Sequence, residues 1–103
     1  MSAQARVREY VAKNPIMVFS KTYCPYCVHA KGLLKNESAA VAAKILELDE
    51  MGKEGSDLQN AVYQLYSHRT VPAIFIGGKF IGGDSDLTSL KNSGKLKSIL
   101  AEL

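Results

Sequence analysis

The sequence predicts a mixed α/β fold in which a four-stranded sheet is flanked by helices. Three observations lead there. Residues 16–19, Ile-Met-Val-Phe, are a short unbroken apolar run, the pattern of a strand covered on both faces. A helical pattern follows it, and then a second strand-like run at residues 44–48, which completes a βαβ unit. Further on, Gly77-Gly78 separates two more strand-like runs as a hairpin turn does. A crossover and a hairpin in one chain imply a sheet of mixed direction with helices packed against it.

The elements follow in order. Ala3, Val7, Tyr10 and Val11 recur at helical spacing, and Asn14-Pro15 stops that helix. Residues 16–19 are the first strand. Residues 24–36 read as a helix with Ala30, Leu33 and Leu34 turned inward. The Ala-rich stretch 38–43 is compatible with helix or loop. Residues 44–48 are the second strand, with Glu47 out of character. Residues 54–66 form a helix with Leu58, Val62 and Leu65 on one face. Residues 73–76 and 79–81 are the third and fourth strands, and Gly82-Gly83 breaks the latter. Asp84-Ser85-Asp86 opens a helix, because short oxygen side chains satisfy its exposed amides. Gly94 ends it, and Leu96, Ile99, Leu100 and Leu103 give a final amphipathic turn or two. The order is α-β-α-β-α-β-β-α-α.

The 103 residues (11.2 kDa) suit one domain over residues 1–103. With 47% hydrophobic and 22% charged residues, a disordered chain, a collagen-like repeat and a disulfide-dense scaffold are excluded. No run of about 18 apolar residues exists to span a membrane. Residues 1–15 carry charges and no long apolar run, unlike a secretory signal. The net charge of +3 comes from scattered lysines, and aromatics make up 8%. No basic stripe points to nucleic acid, although a mildly basic surface attracts small anions.

There are two cysteines, Cys24 and Cys27. The loop they would close is too small to staple a fold, which leaves a metal site or a redox pair. Cys24 falls at the N-cap or first position of the helix, and Pro25 suits the entry because its missing N–H costs nothing there. The amides of Tyr26 and Cys27 then lack intrahelical partners and can point at the Cys24 sulfur. The helix dipole adds partial positive charge, and Lys21 adds a full one. All three favour thiolate over thiol and make Cys24 the nucleophile. Cys27 lies almost one turn on, on the same face, less exposed and less acidic, placed to resolve a mixed disulfide. A zinc site would need further ligands from His29, His68 or carboxylates. His29 is expected to point away and His68 to sit at the surface, so no metal is expected. Inert core cysteines are the remaining alternative, which Pro25 and Lys21 disfavour.

The stretch Lys21-Thr22-Tyr23-Cys24-Pro25-Tyr26-Cys27 resembles the active site of dithiol glutaredoxins. The resemblance continues at Arg69-Thr70-Val71-Pro72 and Gly82-Gly83-Asp84-Ser85-Asp86, and runs from about Val7 to the end. Thioredoxins typically carry Gly-Pro between the cysteines. The resemblance implies a thioredoxin-like fold with sheet order 2-1-3-4, a cis Val71-Pro72 bond and glutathione as co-substrate. It implies catalysis by Cys24 and Cys27, and glutathione binding by Lys21, Tyr26, Gln59, Arg69, Thr70, Val71, Pro72, Gly83, Ser85 and Asp86. Lys21 and Gln59, with help from Arg69, would take the glycyl carboxylate. The Val71 backbone would pair with the cysteinyl part. The helix start at Ser85 and Asp86 would take the γ-glutamyl carboxylate, Asp86 its ammonium, and Tyr26 would flank the groove.

Two positions depart from the pattern: Ser67, where most relatives carry glycine, and Asp84, where many carry Cys or Asn. The expected function is that of a glutathione-dependent thiol–disulfide oxidoreductase acting on glutathionylated or disulfide-containing proteins. A monomer in a reducing compartment, the cytosol, is expected, with the mitochondrion as the alternative. Two rivals share the motif. An iron–sulfur carrier is disfavoured by Pro25 and the second cysteine, and a thioredoxin-type partner of a flavoenzyme is disfavoured by residues 82–86.

Overall fold

A computed structural model of the chain describes residues 1–38 and 40–103. Helix α1 (Ala3–Lys13) is capped by Ser2, whose hydroxyl accepts the Ala5 amide at 3.1 Å. Strand β1 (Ile16–Ser20) leads to α2 (Pro25–Glu37) and β2 (Lys44–Glu47). A single 3₁₀ turn, Leu48–Glu50, connects to α3 (Gly52–Tyr66). The hairpin of β3 (Ala73–Ile76) and β4 (Lys79–Gly82) is followed by α4 (Asp84–Asn92) and α5 (Lys95–Ala101). The sheet order is β2-β1-β3-β4, with β1 parallel to β2 and the other pairs antiparallel. This is the mixed four-stranded sheet expected, in the expected order.

Several boundaries differ from the sequence reading. β1 runs one residue further, because Ser20 is still paired with Glu47. β2 stops at Glu47, and Leu48 turns into the core in the 3₁₀ turn. α3 opens at Gly52 rather than Glu54. Gly82 does not break β4 but ends it, pairing with Ile74 across a register shift. Leu103 lies beyond α5 and is exposed. Of the ambiguous stretch, Ala39 lies outside the described residues, and residues 40–43 form no helix. Ser38 closes α2, its amide donating to the Leu34 carbonyl at 2.8 Å.

Both sheet faces are covered, so the period of two along each central strand divides the core. Met17 and Phe19 of β1, with Ala73 and Phe75 of β3, pack with Val7, Val11, Leu58 and Val62 of α1 and α3. Ile16 and Val18, with Ile74 and Ile76, pack with Ala30, Leu33, Leu34, Leu87 and Leu96 of α2, α4 and α5. The functional consequence lies at one end of the sheet. There the C-terminal end of β1, the N-terminal end of β3 and the C-terminal end of β4 meet, and α2 and α4 begin. No helix among the described residues is long and apolar enough to cross a membrane.

Candidate active site

The loop from β1 to α2 is fastened before it reaches the first cysteine. The Cys24 amide donates to the Lys21 carbonyl at 3.3 Å. The Thr22 amide donates to Asp49 Oδ1 at 3.0 Å, and the Thr22 hydroxyl donates to the other carboxylate oxygen. The hydroxyl bond first, then the amide bond, hold the Asp49 carboxyl below its usual range, and the Lys21 charge acts in the same direction. Asp49 therefore anchors the active-site loop, a role no motif announced.

Cys24 caps α2, as the helix-start reading requires. Its backbone is extended, Pro25 occupies the first turn, and the Val28 amide donates to the Cys24 carbonyl at 3.0 Å. The Cys27 amide donates to Cys24 Sγ at 3.4 Å. Across the cleft, Cys24 Sγ lies 3.7 Å from the Val71 carbonyl oxygen, with the thiol as donor. Both thiols are free. Cys27 is buried, and burial pushes its thiol up. The Lys21 backbone opposes this but is outweighed by burial; the hydrogen bond to the Cys24 sulfur acts with burial, and the Ser20 hydroxyl acts against it. Ser20, wholly buried at the end of β1, thus lies beside Cys27. One sulfur is partly open with an amide aimed at it, and the other is dry and holds its proton. Such a pair suits one attacking and one resolving sulfur.

A cavity of about 440 Å³ opens beside Cys24. Tyr26 flanks it. Thr70, Val71 and Pro72 form one wall, and Gly83, Asp84, Ser85 and Asp86 the other. The Val71-Pro72 bond is cis. Asp86 caps α4, with Oδ2 accepting the Gly83 amide at 2.9 Å. Gly82, at φ 121, makes room for this: a side-chain carbon there would fall 2.2 Å from the same oxygen. Seven of the expected binding residues therefore share one cavity.

Gln59 and Arg69 line an adjoining hollow with Asn60 and Tyr63. Gln59 Nε2 donates to the Arg69 carbonyl at 3.0 Å. The Arg69 guanidinium lies 4.3 Å from the Tyr63 ring centroid and donates to its hydroxyl at 2.8 Å. Among the described residues Arg69 has no carboxylate partner. Lys21 does not line the cavity, and its charge acts on Asp49.

Two histidines do more than expected. His29 points away from Cys27, as expected, but toward α4, where its Nδ1 lies 2.7 Å from Asp84 Oδ1. The extra anion at Asp84 thus has a cationic partner whenever His29 is protonated, and it does not simply face water. His68 is not a plain surface residue. It is half-buried, lines the cavity, and places Nε2 3.1 Å from the Pro72 carbonyl. No sequence signal marked Asp49, whose partner Thr22 only the fold brings near, and His68 is drawn inward by its packing on Phe80, which the fold likewise supplies. Among the described residues, no group of three or more His, Cys, Asp or Glu side chains is placed to hold a metal ion.

The family model for glutaredoxin matches residues 16–81. The chain is 46% identical to the glutaredoxin of Vernicia fordii over 97% of its own length and 93% of that protein. It is 45% identical to glutaredoxin-1 of Saccharomyces cerevisiae, over 91% of this chain and 86% of that one. It is 49% identical to the chloroplastic monothiol glutaredoxin-S12 of Arabidopsis thaliana over 93% of this chain, and spans about half (52%) of that protein. Among solved structures, the buckwheat glutaredoxin–glutathione complex superposes with a TM-score of 0.90 at 39% identity, covering 97% of this chain and 88% of that one. The holo form of glutaredoxin C1 from Populus tremula x tremuloides gives 0.91 at 38% identity, over 97% and 87%.

Proposed function

The chain belongs to the glutaredoxin family, and we propose from that premise that it is a glutathione-dependent thiol–disulfide oxidoreductase whose Cys24 turns over glutathionylated proteins. The observation that carries the reading is the position of Cys24. Its sulfur takes an amide at the start of α2 and faces the Val71 carbonyl beside a cavity with a helix N-terminus on its far wall.

In the proposed reaction the Cys24 thiolate attacks the glutathione sulfur of a protein–glutathione mixed disulfide. A bond forms between Cys24 and glutathione, and the protein sulfur leaves as a thiolate and takes a proton from water. A second glutathione thiolate then attacks the bound glutathione sulfur. Glutathione disulfide leaves and the Cys24 thiolate is regenerated. For a protein disulfide, the Cys24 thiolate attacks one substrate sulfur and the other leaves as a thiolate. Cys27 then gives its proton to water, attacks the Cys24 sulfur and releases the first substrate sulfur as a second thiolate, both thiolates taking protons from water. The Cys24–Cys27 disulfide so formed is reduced by two molecules of glutathione.

The charge map supports glutathione as the co-substrate. In this reading the Val71 backbone pairs with the cysteinyl unit and the Ser85 and Asp86 amides take the γ-glutamyl carboxylate. The Asp86 oxygen not engaged by Gly83 takes the ammonium. Arg69 and Gln59, with Lys21, take the glycyl carboxylate. Thr70, Pro72, Gly83 and Tyr26 shape the groove. His29, when protonated, offsets the Asp84 charge that would otherwise oppose an anion there. The proposal includes a monomer working in a reducing compartment, the cytosol, where a glutathione pool keeps such thiols reduced.

The test is steady-state reduction of a glutathionylated peptide, and separately of a protein disulfide, with glutathione and glutathione reductase. Cys24→Ser is expected to abolish both activities. Cys27→Ser is expected to keep deglutathionylation and lose most reduction of the protein disulfide. Loss of both activities in Cys27→Ser would overturn the assigned roles.

A further inference from the structure

His68 takes no part in the reaction above, yet it stands between the two walls of the cavity. Its ring packs edge-on against Phe80, with centroids 5.3 Å apart. Nε2 lies 3.1 Å from the Pro72 carbonyl oxygen and 3.4 Å from Thr70 Oγ1. A carbonyl oxygen only accepts, so Nε2 carries the hydrogen. On its other side the ring lies against Gly83, where a side-chain carbon would meet His68 Cε1 at 3.6 Å and the Pro72 oxygen at the same distance. Pro72 is buried, so its carbonyl has little access to water as a substitute partner. One imidazole edge therefore bonds the segment entering β3 and stands within a side-chain carbon's reach of the residue that precedes α4.

We propose that His68 is a positioning residue for glutathione: its Nε2–H fixes the Pro72 carbonyl, and with it the Val71 backbone edge, relative to the N-terminus of α4. This deepens the glutathione reading and rests on it. In that reading the cysteinyl backbone and the γ-glutamyl carboxylate belong to one ligand. The spacing between Val71 and α4 then decides whether both ends are engaged at once. Losing the hold weakens recognition of the glutathione unit, while the Cys24 sulfur keeps the Cys27 amide at the start of α2, a contact that involves neither the ring nor the Val71 segment.

Two variants separate the bond from the ring. His68→Phe keeps an aromatic ring against Phe80 and removes the N–H. His68→Gln returns an N–H donor at the reach of Nε2. For each, KM and kcat are measured with a glutathionylated peptide, and the rate of Cys24 alkylation by iodoacetamide is followed against pH. His68→Phe is expected to raise KM about three- to tenfold, the effect of one lost hydrogen bond to a buried carbonyl. Its kcat and the Cys24 alkylation profile should stay at wild type, and His68→Gln should restore KM. An unmoved KM in His68→Phe, or no recovery in His68→Gln, overturns the proposal. So does a shifted alkylation profile, which would mean that His68 acts on the sulfur. If the wild type itself fails to turn over the glutathionylated peptide, the glutathione reading falls and takes this proposal with it. A normal wild type with an unmoved His68→Phe overturns only the role of His68.

Discussion

Ser67 ends α3 at φ 58 and ψ 32, the left-handed region that glycine enters freely and serine does not. It is the one non-glycine residue with positive φ among the described residues. The departure from glycine seen in the sequence is thus met by a residue forced into a glycine conformation, and not by a different cap. The cap keeps its hydrogen bond, the Ser67 amide donating to the Tyr63 carbonyl at 2.8 Å. Ser67→Gly is expected to stabilise the protein by up to about 1 kcal/mol, the strain relieved less the extra backbone entropy of an unfolded glycine. Urea titration checks it, and an unchanged or lowered midpoint contradicts it. At the same scale, the cap at Asp86 and the binding role proposed for it need not compete. One carboxylate oxygen closes α4 while the other stays free of that bond.

Elements meet here through small residues as much as large ones. α3 lies on the 3₁₀ turn so closely that a side-chain carbon on Gly55 would fall 1.9 Å from the Leu48 carbonyl oxygen. The obstacle is backbone, which cannot swing aside as a side chain would. Gly55→Ala would suit the helix intrinsically but must push α3 away from Leu48, itself a member of the core that includes Leu58 and Phe19. The expected net cost is about 1–3 kcal/mol, read as a lowered Tm. Because Asp49 sits in that same turn and holds Thr22, the variant should also loosen the loop before Cys24. A Gly55→Ala protein as stable as wild type would show that α3 and the turn are not packed as described.

At the scale of the whole molecule, the buried thiol of Cys27 links stability to pH. Its folded pKa is raised above the ordinary value of 9.0, chiefly by burial. A raised pKa means that the folded chain holds this proton more tightly than the unfolded one. The resulting stability is fully present below the ordinary value and is lost as pH rises through the folded pKa. Urea midpoints of the reduced protein should fall as the pH rises above the ordinary value of 9.0, and Cys27→Ser should lose less over that interval. Equal alkaline losses in the two proteins would remove Cys27 as the cause. The same proton matters to the proposed reaction, in which Cys27 gives it up only after Cys24 has bonded to a substrate.

The cysteine pair at a helix start, the apolar strands, the Gly-Gly hairpin and the acidic cap of α4 were legible in the linear order of residues. Each rests on interactions within a few positions, such as the Cys27 amide on the Cys24 sulfur, and local periodicity records these. Element ends were less legible. Gly82 stays in β4 because Ile74 pairs with it, and Ser20 stays in β1 because Glu47 does, and both partners come from other strands. What tertiary structure alone decided is which distant groups meet: Asp49 with Thr22, His29 with Asp84, and the His68 ring with Phe80. These contacts depend on strand order and on the packing of whole helices against the sheet. No spacing along the chain encodes them, because the energy that brings such groups together comes from burying the two core faces and not from the polar groups themselves.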